Sequence, residues 1–188
     1  MATPRIIVFT APSGAGKTTI ARRVLRARPD VRFSVSATTR DPRPGETDGV
    51  DYHFVSTDAF EQFIAQDALV EYEQVYEGLY YGTLRAEVDE ATPEAPVLLD
   101  IDVKGAYNVK QYFGDDALVI FVAPPSMDVL AERLTGRGTE NEAAVRERLE
   151  RAEMEIAQAD RFDATVVNDD LDRAVDETLA HIEQFLES

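Results

Sequence analysis

Residues 6–18 read Ile6-Ile7-Val8-Phe9-Thr10-Ala11-Pro12-Ser13-Gly14-Ala15-Gly16-Lys17-Thr18, and their order decides the fold. Ile6 to Phe9 is short, rich in β-branched residues and does not alternate with polar ones. Such a run suits a strand buried on both faces, as in a parallel sheet. Ala11 to Gly16 is a small-residue turn. Thr18 to Arg28 is helix-like, with Ile20, Val24 and Leu25 on one side, and Pro29 closes it. Strand, glycine loop and helix in this order place backbone N–H groups at a helix N-terminus, where they favour a phosphate. The string is nearly G-x-x-x-x-G-K-[ST], with Ala11 at the first glycine position. Its chemistry assigns Lys17 to the β- and γ-phosphates and the Thr18 hydroxyl to Mg²⁺.

The same alternation returns downstream. Val97 to Ile101 reads as a strand followed by a helix over 103–112. Ala117 to Val122 is another buried run, ended by Pro124-Pro125, and Ser126 is placed to cap a helix through Leu134. Thr165 to Val167 is a last short strand, and Leu171 to Leu186 an amphipathic helix. Strands separated by helices predict an α/β fold, a parallel sheet with helices on both faces. Two segments break the rhythm. Residues 34–96 are rich in tyrosine and turns and read as a small mixed insertion. Residues 136–159 open with Gly136-Arg137-Gly138 and continue as a charged helix, which suits a mobile flap. The expected division is a core of 1–33, 97–135 and 160–188, the insertion at 34–96 and a lid at 136–159.

Composition narrows the function. The chain has 188 residues and no cysteine, which excludes thiolate metal sites and cysteine nucleophiles and permits a reducing, cytoplasmic setting. Its two histidines, His53 and His181, are too few for a multi-histidine metal centre. No apolar run approaches the ~18 residues needed to span a bilayer, so no membrane association is expected. A net charge of −17 disfavours nucleic acid as a partner but allows a local anion site. Asp100, at the end of a buried strand, is placed to hold Mg²⁺ directly or through water, with Asp102 two residues on.

The most specific segment is Thr38-Thr39-Arg40-Asp41-Pro42-Arg43-Pro44-Gly45-Glu46-Thr47-Asp48-Gly49-Val50-Asp51-Tyr52-His53-Phe54. It offers two arginines, which match phosphate bidentately, and a tyrosine hydroxyl near tight turns. This T-T-R-x-x-R-x-x-E-x-x-G-x-x-Y-x-F string closely resembles the signature of bacterial guanylate kinases. So do Leu99-Asp100-Ile101-Asp102, Gly136 to Glu140 and Val167 to Leu171, over essentially the whole chain.

The resemblance implies a phosphate-loop core with a GMP-binding insertion and a lid. It implies transfer of the γ-phosphoryl group of ATP to GMP, and to dGMP, with Mg²⁺. ATP would lie on Ala11, Pro12, Ser13, Gly14, Ala15, Gly16, Lys17, Thr18 and Thr19, with Asn168 at the adenine. Arg40, Arg43, Tyr52 and Tyr81 would grip the GMP phosphate. Ser36, Glu71 and Thr83 would read guanine, with Asp102 nearby. Lys17, Arg40, Arg137 and Arg148 would be catalytic, and Arg133 would join the lid arginines. Glu73 departs from the family pattern, which has a small residue there, and reads as surface charge. Two other readings stand beside this one: a kinase for a different monophosphate, and a non-catalytic guanylate-kinase-like module that binds proteins.

The 36 acidic residues face 19 basic ones, 16 of them arginine. Coding bias with surface drift is one account of this excess, and adaptation to salt is the other. Dense carboxylates repel in dilute buffer, and at molar salt the screening length falls to ~3 Å. A rise in thermal midpoint between dilute buffer and molar KCl, without nucleotide and with activity retained, is the outcome expected of salt adaptation. A flat midpoint with salt-inhibited activity assigns the excess to coding bias.

Overall fold

The structure, a computed structural model, describes residues 4–136 and 142–188. Its first strand, β1 (Ile6–Thr10), is buried at every position. Ile7 and Phe9 point into one core and Ile6 and Val8 into another, so the unalternating run fills both faces. On either side of β1 lie β7 (Val97–Asp100) and β8 (Ala117–Ala123), both parallel to it. β2 (Arg32–Phe33) and β9 (Ala164–Val167) complete the sheet in the order β2-β7-β1-β8-β9, all parallel. Each fully buried Ile or Phe of β1 contributes roughly 1.5–3 kcal/mol relative to exposure, so this strand is a main source of stability.

Helices cover both faces. α1 (Lys17–Ala27) presents Ile20 and Val24, and α7 (Leu171–Glu187) presents Ala174, Val175 and Ile182, to the core around Ile7 and Phe9. α4 (Val103–Phe113) places Ala106 and Val109 against Ile6, Val8 and Leu99. Caps set the helix starts. Asp102 Oδ1 accepts from Gly105 N at 2.8 Å, and Ser126 Oγ accepts from Val129 N at 3.2 Å. The latter begins α5 (Met127–Thr135).

Between β2 and β7 the chain builds a second sheet from β3 (Ala37–Thr38), β4 (His53–Phe54), β5 (Leu69–Tyr76) and β6 (Leu79–Leu84), in the order β4-β3-β6-β5. The β5–β6 hairpin is antiparallel, whereas β3 and β4 run parallel. α2 (Thr57–Ala65) and the short α3 (Arg85–Val88) accompany this sheet. Phe60 of α2 is fully buried with Ala37 and Leu69 and stacks on Tyr80 at 5.1 Å, giving this sheet its own small core. α6 (Glu142–Ile156) packs through Val145, Leu149 and Ala152 on Leu130 and Leu134 of α5. No helix among the described residues is long and apolar enough to cross a membrane.

Candidate active site

The loop between β1 and α1 curls at Gly14 and Gly16, whose φ angles are +92° and +98°. Side chains other than glycine rarely adopt such values. The curl leaves Ala15 O facing inward, where it accepts from Asn168 Nδ2 at 2.7 Å and Arg133 Nη1 at 3.3 Å. Arg133 Nη2 also donates to Asn168 O at 2.9 Å. Asn168 is buried, and a Cβ on Gly16 would collide with its amide. The residue assigned to adenine by resemblance therefore holds the underside of the loop through its amide nitrogen. Arg133, expected among the phosphate-facing lid residues, is likewise spent here on two backbone carbonyls.

Lys17 Nζ lies 2.5 Å from Asp100 Oδ1 and donates to Ile101 O at 2.6 Å. Thr18 Oγ1 donates to Asp100 Oδ2 at 3.2 Å. A hydroxyl and a carboxylate therefore meet at the N-terminus of α1, beside the C-terminal end of β7. Hard oxygen donors of this kind suit Mg²⁺.

A cleft of about 1230 Å³ runs from this loop to the second sheet. Pro12, Lys17, Thr18 and Asp100 line one end, and Ser36, Arg43, Tyr52, Glu71 and Tyr81 the other. Arg148 of α6 lines it as well. Arg137 lies outside the described residues. Arg146 is exposed.

Arg40 is held on several sides. Its Nη2 donates to Glu46 Oε1 at 2.9 Å and its Nη1 to Asp41 O at 2.7 Å. The guanidinium lies over Tyr52 and Phe54, 5.3 and 5.7 Å from the ring centroids. Tyr52 in turn meets the edge of Tyr81, with centroids 5.9 Å apart. Arg40 Nε is buried without a partner, a donor left over for an acceptor. Glu46 also accepts from Arg43 N at 2.7 Å, so one carboxylate organises both arginines. Burial pushes the Tyr52 hydroxyl above its ordinary value, which keeps it a neutral donor.

Glu71 is 8% exposed, and Thr83 Oγ1 donates to its Oε1 at 2.7 Å. Thr83 itself is fully buried. Desolvation pushes the Glu71 carboxyl up to about 7, with the nearby Asp102 charge adding to the rise and the Thr83 bond opposing it. Glu73 is not a bland surface charge. It lines the cleft beside Asp102, and the hydrogen bond between the two carboxyls, with burial, pushes it up to about 7. Lys104 Nζ lies 3.9 Å from Glu73, and Arg151 Nη2 lies 3.6 Å from Asp102 while its Nε donates to Glu155 at 2.8 Å. The second sheet, α4 and α6 thus meet in one charged cluster.

Several contributors carry no motif signal that singles them out. Ser34 lines the cleft with a buried, unpartnered Oγ. Arg151 and Glu155 belong to an ordinary i, i+4 pattern on a charged helix. Glu46 lies inside the signature string, but only the fold shows that it binds both arginines.

The family model described as guanylate kinase matches residues 3–188. The chain is 63% identical over 183 residues to a guanylate kinase of Salinibacter ruber, covering 97% of each. It is 52% identical to one of Chlorobium luteolum, covering 97% of this chain and 92% of the relative. Among solved structures, a guanylate kinase from Anaplasma phagocytophilum superposes with a TM-score of 0.81 at 28% identity, covering 100% of this chain and 88% of the other. A gluconokinase from Sinorhizobium meliloti shares the fold alone, at 16% identity and a TM-score of 0.53.

The raised Glu71 carboxyl has a consequence for stability. A group near 4.5 unfolded and about 7 folded keeps more protons in the folded state between those values. Its contribution is therefore fully present below about 4.5 and is lost as pH rises through about 7, in total by roughly 3 kcal/mol at most. Glu71→Gln keeps an acceptor for Thr83 and removes the charge. Urea unfolding without nucleotide should show this variant more stable than the parent at pH 8 and level with it near pH 4.

Proposed function

The chain belongs to the guanylate kinase family, and on that premise we propose how its cleft divides the transfer of a phosphoryl group from ATP to GMP. The enzyme is a GMP kinase with ATP as co-substrate; the roles of individual residues are our reading. It rests above all on Glu71, a buried carboxylate sharing one cleft with the phosphate loop and with Arg43, Tyr52 and Tyr81.

ATP lies with its phosphates on residues 11–19, whose N–H groups and helix terminus favour negative charge. Lys17 exchanges Asp100 for phosphate oxygens. Thr18 and Asp100 would hold Mg²⁺, which when bound neutralises phosphate charge. Asn168 and Arg133 act on ATP indirectly, by fixing the Ala15 carbonyl and with it the loop. At the other end, Arg40, Arg43, Tyr52 and Tyr81 take the GMP phosphate. The prebuilt Glu46 and aromatic contacts mean that Arg40 has little freedom left to lose.

Guanine presents N1–H and the 2-amino group as adjacent donors, and ionised Glu71 accepts both. Ser36 serves O6. Adenine has an acceptor at N1, which that carboxylate repels. These contacts are to phosphate and base, so dGMP is expected to serve as an acceptor too.

The attacking GMP phosphate oxygen is anionic at neutral pH, so no general base is needed. Catalysis is then positioning and charge stabilisation of a loose transition state. The residues 34–96 and 136–159 form the GMP-binding unit and the lid in this reading, and their closure keeps water from the γ-phosphate.

The test is base choice. Glu71→Ala should lower kcat/KM for GMP by ~2–4 kcal/mol, the scale of a buried charged hydrogen-bond pair, and leave KM for ATP little changed. The parent's kcat/KM for GMP should rise with pH through about 7 as Glu71 ionises, and this rise should vanish in the variant. Equal damage to ATP and GMP parameters would make Glu71 structural. In the lid, Arg148→Ala should lower kcat by ~10³-fold with ATP binding to the open form nearly unchanged, and lysine should rescue only part. Near-parental turnover would remove Arg148 from the catalytic set.

A further inference from the structure

Glu71 is fixed at one oxygen by Thr83, and its other oxygen faces α4 at Gly105. A Cβ placed on Gly105 would lie 2.7 Å from Glu71 Oε2, 3.2 Å from Glu71 Cδ and 3.0 Å from Asp102 Oδ1. Nothing in the backbone calls for glycine here. Gly105 is the third residue of α4, and its φ is not positive. Alanine is the better helix former, so the helix alone favours a methyl group at this position. What the glycine provides is space for a carboxylate.

We propose that Gly105 is a specificity-positioning residue, whose missing side chain sets where the Glu71 carboxylate lies and hence how well the enzyme takes up guanine. This rests on the reading that Glu71 accepts the two guanine donors. Those donors sit side by side, so both carboxylate oxygens must lie in the plane of the base. Thr83 Oγ1, 2.7 Å from Oε1, and the bare helix surface at Gly105 hold the group from two directions. A methyl group at 105 leaves the carboxylate two responses. It can pivot about the oxygen that Thr83 holds, or it can shift into the cleft with that bond kept. Either way one oxygen leaves the position that a buried donor pair requires. Because the atom that must yield is the far end of a side chain, the fold itself is not expected to suffer.

Steady-state kinetics and thermal unfolding of Gly105→Ala, Glu71→Ala and the double variant test this. Gly105→Ala should raise KM for GMP by about 10- to 100-fold, the scale of a charged hydrogen bond lost or misdirected. KM for ATP should stay within about twofold, and the thermal midpoint should be unchanged or higher. The double variant should be no worse toward GMP than Glu71→Ala, since the methyl group then has no carboxylate to displace. Gly105→Ala with unchanged GMP kinetics, where Glu71→Ala is impaired, overturns the proposal and leaves the role of Glu71 standing. Glu71→Ala with unchanged GMP kinetics overturns the underlying reading. Effects that multiply in the double variant, or a lowered midpoint from disturbing the Asp102 cap, assign Gly105 a structural role and overturn the proposal. If Gly105→Ala fails to fold, the double variant must fold as Glu71→Ala does, and its failure to do so overturns the proposal too.

Discussion

The pairing of Lys17 with Asp100 is the interaction on which the rest of the cleft depends. Asp100 ends β7 and Lys17 opens the helix that follows the adjacent parallel strand β1, and their charged atoms lie 2.5 Å apart. A lysine at the start of a helix is poorly placed electrostatically, because the partial positive charge of the terminus repels it. Asp100 offsets that repulsion, and Ile101 O takes a further proton donor of the ammonium. The pairing also keeps both side chains stretched toward one point at the end of the sheet. In the proposed reading bound phosphates compete for the lysine with the same carboxylate, so binding would be an exchange of partners rather than the capture of a freely moving group. An ammonium already held in place has less side-chain entropy left to lose on binding.

That geometry requires a rigid floor, and the buried sheet supplies it. β1 has no solvent face, so its C-terminal end cannot slide without disturbing cores on both sides. The phosphate loop is fastened in turn at Ala15 O, through Asn168 after β9 and Arg133 from α5. The second sheet has a far smaller core, built around Phe60. Contacts among polar and charged groups, more than apolar packing, tie its cleft-facing side to α4 and α6. Such contacts can be exchanged at small net free-energy cost, which is what the proposed closure would need.

The order of elements was legible in the sequence because buried parallel strands and amphipathic helices have different periods. Ile6 to Phe9 and Ala117 to Val122 read as strands for that reason, and Ser126 read as a helix cap. The strands of the insertion were not individually legible. β3 and β4 are two residues each, too short for any period to show. For the site, a motif reports which chemistry is present but not which way a side chain faces. Asn168 and Thr83 have the right chemistry for a ligand, and the sequence does not show that one amide N–H of the first is given to Ala15 O and the hydroxyl hydrogen of the second to Glu71. Glu73 read as surface charge because nothing in the sequence shows that the N-terminal end of α4 comes to lie beside β5, where Lys104 reaches this carboxylate.

Glu71, Glu73 and Asp102 also show how an enzyme for two anionic substrates can carry carboxylates in its own cleft. Three full negative charges close together would repel one another and a nucleotide alike. Burial raises the first, a hydrogen bond shared with Asp102 raises the second, and both are brought near neutral pH. Lys104 and Arg151 compensate the remainder from α4 and α6. The cluster is therefore less negative than its composition, and its charge is free to follow the ligand. If Glu71 reads guanine as proposed, the donor pair favours its ionised form, so the base draws out the charge that recognises it. Recognition of this kind discriminates twice. In the proposed reading adenine lacks the donors, and having none it does not offset the cost of ionising the buried Glu71 carboxyl.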